Sequence, residues 1–123
     1  RYPKLHKVLP GPVRWIGERR LLPKTTDEVS KLLAYCNQHD IKVVPQSGNT
    51  SLVGGASPYK DEVVLSLRKM DNIIDFNKSS GVITCEAGLI LQKCQEYVGQ
   101  FGFETPHNVG SKGSCMIGGN VST

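Results

Sequence analysis

Apolar and polar positions alternate with two different periods along the 123 residues, and the switches between them mark the elements. Arg20 to Leu22 is a short apolar strand candidate. Thr25-Thr26-Asp27-Glu28 follows as a helix start, with a hydroxyl cap and acids in the first turn. Val29, Leu32, Leu33 and Cys36 then fall at i, i+3, i+4 and i+7, which predicts a helix with one apolar face, ending over Asn37 to Asp40. Ile41 to Pro45 is a β-branched run that reads as a buried strand. Gln46 to Ser57 is a polar loop, and Glu62 to Leu67 is the next strand. Asn72 to Asn77 and Val82 to Glu86 are two further strands, separated at hairpin length by Lys78-Ser79-Ser80-Gly81. Leu91, Cys94, Val98 and Phe101 predict a second helix that stops at Gly102. From Pro106 to Thr123 the chain reads as loop. The expected class is α+β: a βαβ unit followed by antiparallel strands and a helix.

Residues 1–18 carry Pro3, Pro10, Pro12, Gly11 and Gly17 and read as an extended lead-in without regular structure; the folded portion is expected over 19–123. Net charge is +4, but residues 1–24 hold +6 and the remainder −2. A basic lead can touch nucleic acid or an anionic membrane. Here no aromatic residues interleave as a stacking surface, so a solvated linker is the reading and no nucleic-acid partner is expected. No 20-residue apolar run is present, so no transmembrane helix is expected, and no secretory leader is recognisable. Cys36, Cys85, Cys94 and Cys115 lack a CxxC or zinc-finger spacing. They are expected to be reduced thiols without a metal, as suits an intracellular protein.

Two glycine clusters are the candidate chemistry. Pro45-Gln46-Ser47-Gly48-Asn49-Thr50-Ser51-Leu52-Val53-Gly54-Gly55 follows a strand directly and contains no acid. Successive backbone N–H groups in such a turn can form a concave anion site, and a diphosphate fits that description. The loop is neither GxGxxG nor a P-loop. A plain polar connection is the competing reading, although the loop is longer than the usual ~4–6 residues. The second cluster, Gly110 to Asn120, adds one cation at Lys112; its competing reading is a disordered tail. Together the clusters suggest one ligand held from two sides. His107 lies beside the second cluster, whereas His6 and His39 read as solvated and Glu86 as a lone carboxylate. No nucleophile motif or paired carboxylates stand out, so no catalytic residue is assigned.

Val43-Val44-Pro45-Gln46-Ser47-Gly48-Asn49-Thr50, Val53-Gly54-Gly55, Cys85-Glu86-Ala87-Gly88 and Gly110 to Val121 resemble, in that order, the flavin-binding domain of FAD-linked oxidases of the vanillyl-alcohol-oxidase (PCMH) type. Within that family the resemblance is to the D-2-hydroxyglutarate and D-lactate dehydrogenases. Leu22 to Val29 fits the family's opening strand and helix, so the similarity runs from about Leu21 to Thr123. The resemblance implies FAD, with the first loop around the diphosphate and the 106–120 segment along the flavin. It carries a cofactor-binding role to Pro45, Gln46, Ser47, Gly48, Asn49, Thr50, Gly54, Gly55, Gly88, Pro106, Gly110, Gly113, Ser114, Gly118, Gly119 and Asn120. No His occurs between Asp40 and Pro106, so non-covalent binding is expected. Ser47 stands where the family has Gly, and His107, Asn108, Ser111 and Met116 also depart from its pattern.

The implied activity is oxidation of a D-2-hydroxy acid, foremost D-2-hydroxyglutarate, to the 2-oxo acid by hydride transfer to flavin. The alternatives are a D-lactate dehydrogenase or another FAD-linked oxidase, or a module that has lost flavin. The chain reads as the N-terminal portion of the FAD domain, inactive by itself. Substrate contacts, a divalent metal and the catalytic base are expected in the portion that follows. The resemblance further implies an electron acceptor such as an electron-transfer flavoprotein or cytochrome, and mitochondrial placement. A cut antiparallel sheet would leave an edge strand and apolar surface uncovered, so a homodimer, an aggregate or a partly disordered tail beyond Pro106 is expected unless another chain supplies the missing half.

Overall fold

The computed structural model describes the backbone of residues 14–15 and the chain from 20 to 122. The elements in chain order are β1 (Arg14–Trp15), β2 (Arg20–Leu22), α1 (Thr26–Gln38), β3 (Val43–Gln46), β4 (Val63–Ser66), β5 (Ile73–Asn77), β6 (Val82–Cys85), α2 (Leu91–Gly99) and α3 (Ile117–Val121). Arg14 and Trp15 pair antiparallel with Leu22 and Leu21. Part of the expected lead-in therefore joins the sheet, a correction to the reading of 1–18 as free of regular structure. The remainder of that stretch lies outside the described residues, as do His6 and the other basic positions before Arg14.

The main sheet has the order β1-β2-β4-β3. Both β2 and β3 run parallel to β4. The βαβ unit is present, but its two strands are not neighbours, because β4 lies between them. Burial explains the choice. All four residues of β4 are buried, so it belongs where both faces and both edges are covered. Leu21, Leu32, Cys36, Ile41, Val63 and Leu65 form the core between α1 and this sheet, with Val29, Tyr35, Val43 and Leu67 packed around it. Burying such side chains contributes about 1.5–3 kcal/mol each.

Helix α1 begins as its sequence dictates. The Glu28 N–H donates to Thr25 Oγ1 at 3.1 Å, and the Lys24 N–H donates to Glu28 Oε2 at 2.6 Å. At the other end Asp40 takes φ +53°, and the Ile41 N–H donates to the Cys36 carbonyl at 2.8 Å. Ile41 thus enters the core as the residue that closes the helix, and the strand starts two residues later than its β-branched run suggests. Leu33 is 44% exposed, so the expected apolar face is displaced toward Tyr35.

Strands β5 and β6 form the expected antiparallel hairpin, as a separate two-stranded sheet. Phe76 of the hairpin meets Tyr97, Phe101 and Phe103, with ring centroids 6.2, 5.4 and 5.3 Å away. Leu91, Cys94 and Val98 are the buried side of α2. Gly102 follows the helix at φ +78°, the left-handed turn expected there. The 106–123 stretch is not all loop, since Ile117–Val121 make one helical turn and a half. Among the described residues no helix is long and apolar enough to cross a membrane.

Candidate functional site

Three connections meet beyond the ends of β3, β4 and β6. The first is the loop after β3. The second is Glu86 to Ile90, between β6 and α2. The third is the glycine-rich stretch leading into α3. The third is tied to the second through backbone bonds. The Gln92 N–H donates to the Lys112 carbonyl at 3.0 Å, and the Leu91 N–H to the Cys115 carbonyl at 3.0 Å. In return the Ile117 and Gly118 N–H groups donate to the carbonyls of Leu89 and Ala87, at 2.9 and 2.8 Å. Residues 111–120 are therefore held in place, against the expectation of a disordered tail.

The first loop is pressed against the third. A Cβ on Gly48 would run into the Ser114 carbonyl oxygen and stand 2.8 Å from Cys115 Cα. Gly48 is required here by the contact between the two loops. A Cβ on Gly119 would stand 3.5 Å from the Ser47 Cβ. The two loops thus meet at Ser47, Gly48, Ser114 and Gly119. Gly118 belongs to the same seam, since a Cβ there would lie 2.8 Å from Ala87 Cβ. Gly113 lies on the outer side, its Cβ direction 3.2 Å from Gln92 Oε1.

The loop's own chemistry suits an anion. Among the described residues, the backbone N–H groups of Ser47, Gly48, Asn49 and Thr50 find no acceptor within the chain. Asn49 takes φ +54°, the left-handed conformation that Asn tolerates better than most residues. No carboxylate occurs between Asp40 and Asp61. Asn120 Oδ1 is buried without a hydrogen-bond partner. An unpaired buried acceptor costs about 1–3 kcal/mol, so a donor from a bound group would relieve it. A run of unengaged N–H groups, a loop without acids and an orphaned amide oxygen together fit a cofactor carrying a diphosphate and a polar ring.

Other candidates lie farther from this centre. Gly54 and Gly55 are exposed at the outer limb of the loop, with nothing within 4 Å of a Cβ at either. Leu52 and Val53 beside them are 101% and 90% exposed. Pro45, Pro106 and Gly110 are exposed as well. Gly88 is buried, and a Cβ there would collide with the Leu67 carbonyl and lie 2.7 Å from the Met70 carbonyl. The Gly88 N–H also donates to that Met70 carbonyl at 2.8 Å, so this glycine packs the chain. Glu86 is engaged structurally: its Oε2 accepts from the Asn72 N–H and Nδ2, at 2.9 and 2.7 Å. The His107 carbonyl accepts from Gln95 Nε2 at 2.7 Å, in an open 400 Å³ depression also lined by Phe103, Asn108 and Lys112. The His39 ring rests 4.2 Å from that of Tyr35.

All four cysteines are free, and burial pushes the Cys36, Cys85 and Cys94 thiols up from their ordinary value. Neighbouring Cys85 raises Cys94 further. Such thiols are poor nucleophiles. Among the described residues no cluster of His, Cys, Asp or Glu could hold a metal ion.

The sequence signature of the FAD binding domain matches residues 18–123. The chain belongs to the FAD binding domain family. This FAD binding domain is 52% identical over 115 residues to a "Probable D-2-hydroxyglutarate dehydrogenase, mitochondrial" of Oryza sativa subsp. indica, covering 89% of the chain and 21% of the relative. It is 48% identical over 117 residues to a putative mitochondrial D-lactate dehydrogenase of Schizosaccharomyces pombe, covering 90% and 22%. The chain thus spans about a fifth of the length of these relatives. Among solved structures it is similar to alkyldihydroxyacetonephosphate synthase, with a TM-score of 0.78 and 19% identity over 85% of the chain and 20% of that protein. At that identity the likeness establishes the fold.

Proposed function

We propose that this domain holds FAD in a D-2-hydroxyacid dehydrogenase, with D-2-hydroxyglutarate as the foremost substrate. The observation that carries the reading is the run of unengaged N–H groups from Ser47 to Thr50, set against Ser114 and Gly119 in a stretch without carboxylates. Those N–H groups would take the diphosphate, replacing water as donors to its oxygens. Asn120 Oδ1 would accept from a donor on the flavin portion. Gly54, Gly55, Pro106 and Gly110 would line the outer limits of the site. When bound, FAD supplies the acceptor for the hydride that leaves the hydroxyl-bearing carbon of the substrate. The protein's work in this segment is to bind and orient it. The absence of His between Asp40 and Pro106 supports non-covalent attachment along this loop.

The substrate contacts, the catalytic base and any divalent metal would belong to the larger portion of the enzyme. Its reduced flavin would be reoxidised by an electron-transfer flavoprotein or a cytochrome. The names of the relatives support mitochondrial placement. The similarity to the S. pombe protein favours D-lactate as the second candidate substrate.

Gel filtration of the purified protein after incubation with FAD tests the reading. A flavin absorption band that travels with the protein supports it, and its absence refutes it. In the intact enzyme, loss of that band on adding D-2-hydroxyglutarate or D-lactate under anaerobic conditions separates the two substrates.

A further inference from the structure

Gln46 stands where β3 ends and the diphosphate loop begins, and it is 4% exposed. Its backbone carbonyl accepts from the Leu67 N–H at 3.0 Å, and it sits in register with Ser66 of β4. Its side chain does something different. Gln46 Nε2 donates to the carbonyl of Ala56 at 3.0 Å, ten residues further along. The other bonds of the loop are local: the Val53 N–H donates to Ser51 Oγ at 3.2 Å, and the Ser57 N–H to the Gly54 carbonyl at 3.0 Å. The Gln46 amide therefore joins the outgoing and returning limbs of a loop rich in glycine. Without such a tie, glycine's backbone freedom makes a single loop shape costly.

We propose that Gln46 is a positioning residue: its buried amide sets the shape of the diphosphate loop from behind, acting on the cofactor only through the backbone of Ser47 to Thr50. The inference rests on the FAD reading. It moves Gln46 out of the group that touches FAD and gives its buried amide a physical task. A loop that spends less time in its competent shape binds with an apparent affinity reduced by that fraction.

The test compares Gln46→Leu and Gln46→Glu with the wild-type protein in two measurements. The first is hydrogen exchange over residues 47–57 without FAD. The second is FAD affinity from the quenching of flavin fluorescence. Gln46→Leu has no donor, so exchange in 47–57 should accelerate while β4 stays protected. Its FAD affinity should fall roughly three- to tenfold, the range expected for one lost hydrogen bond. The absorption spectrum of the FAD that does bind should keep its wild-type shape, because the residue does not touch the ring. Gln46→Glu should bind poorly at pH 8 and recover toward acid pH, where the carboxylic O–H can donate to the Ala56 carbonyl; Gln46→Leu should show no recovery. Should Gln46→Leu not fold, this pH recovery in Gln46→Glu decides the matter. Unchanged exchange in Gln46→Leu overturns the clasp, and faster exchange with unchanged FAD affinity overturns its role in binding. Wild-type protein that binds no FAD overturns the FAD reading and the cofactor role of Gln46 with it, while the exchange result still reports on the clasp.

Discussion

The carbonyl oxygen of Ser114 occupies the space that a Cβ on Gly48 would need. The two glycine-rich stretches are thus in backbone contact across 66 positions of sequence. Gly48→Ala must push them apart, moving Ser47 to Thr50 away from Gly119. FAD affinity should fall at least about tenfold, since overpacking costs about 1–3 kcal/mol and falls here on the binding seam. Gly99→Ala, at the end of α2, is the control, because nothing lies within 4 Å of a Cβ at Gly99. A fluorescence titration in which the two variants bind FAD alike would contradict this arrangement.

Gly88 should matter for stability ahead of binding. Its Cβ direction is filled by the carbonyls of Leu67 and Met70, and its N–H is bonded to the latter. Gly88→Ala should destabilise the fold by about 2–4 kcal/mol, as expected for a backbone clash together with a strained buried hydrogen bond. Gly110→Ala, in open space, should stay within about 0.5 kcal/mol of wild type. Urea unfolding of both variants checks the difference.

The start of α1 was legible in full, because capping is local chemistry. Thr25 and Glu28 can satisfy the first turn whatever surrounds them. The hairpin at 78–81 was legible for the same reason, with Gly81 at φ +69° closing its turn. Leu33 was not. It stands roughly 100° around the helix from Leu32, at the margin of the apolar stripe, and the sheet lies toward Tyr35 instead. Helix α3 was hidden by Gly118 and Gly119, each of which disfavours helix by about 1 kcal/mol. The two N–H bonds to Leu89 and Ala87 offset that, and contact with Ala87 leaves no room for a Cβ at Gly118. The glycine clusters marked two segments that the fold brings into contact. Their meeting at Gly48 and Ser114 is a tertiary fact, and so is the burial of Gly88.

Thr25→Ala should cost about 1 kcal/mol, the usual value of a hydroxyl cap. It removes the acceptor for the Glu28 N–H. Thr25→Ser should restore most of the loss. Thermal unfolding of the three proteins shows whether the cap contributes as its geometry indicates.

The buried thiols predict a falling stability in alkali. Cys36, Cys85 and Cys94 have folded pKa values raised by burial, so folded and unfolded states are equally protonated below the ordinary thiol range. Above about pH 8.5 the unfolded chain releases protons that the folded chain retains, and stability is lost as pH rises toward the folded values. Replacing Cys36 by Ala should flatten that decline, at the expense of a small cavity in the core. Urea midpoints between pH 7.5 and 10 give the slope for each protein.

The central position of β4 has a consequence for the order of assembly. Strands β2 and β3 both lie beside a strand that comes later in the chain than either. As the polypeptide leaves the ribosome, α1 can coil alone, but its apolar side has only the β1–β2 pair and an unpaired β3 to rest on until residue 66 has emerged. The loop proposed to receive the diphosphate, residues 47–62, is therefore closed in the same event that seats β4, so this part of the candidate site and the sheet come into being together.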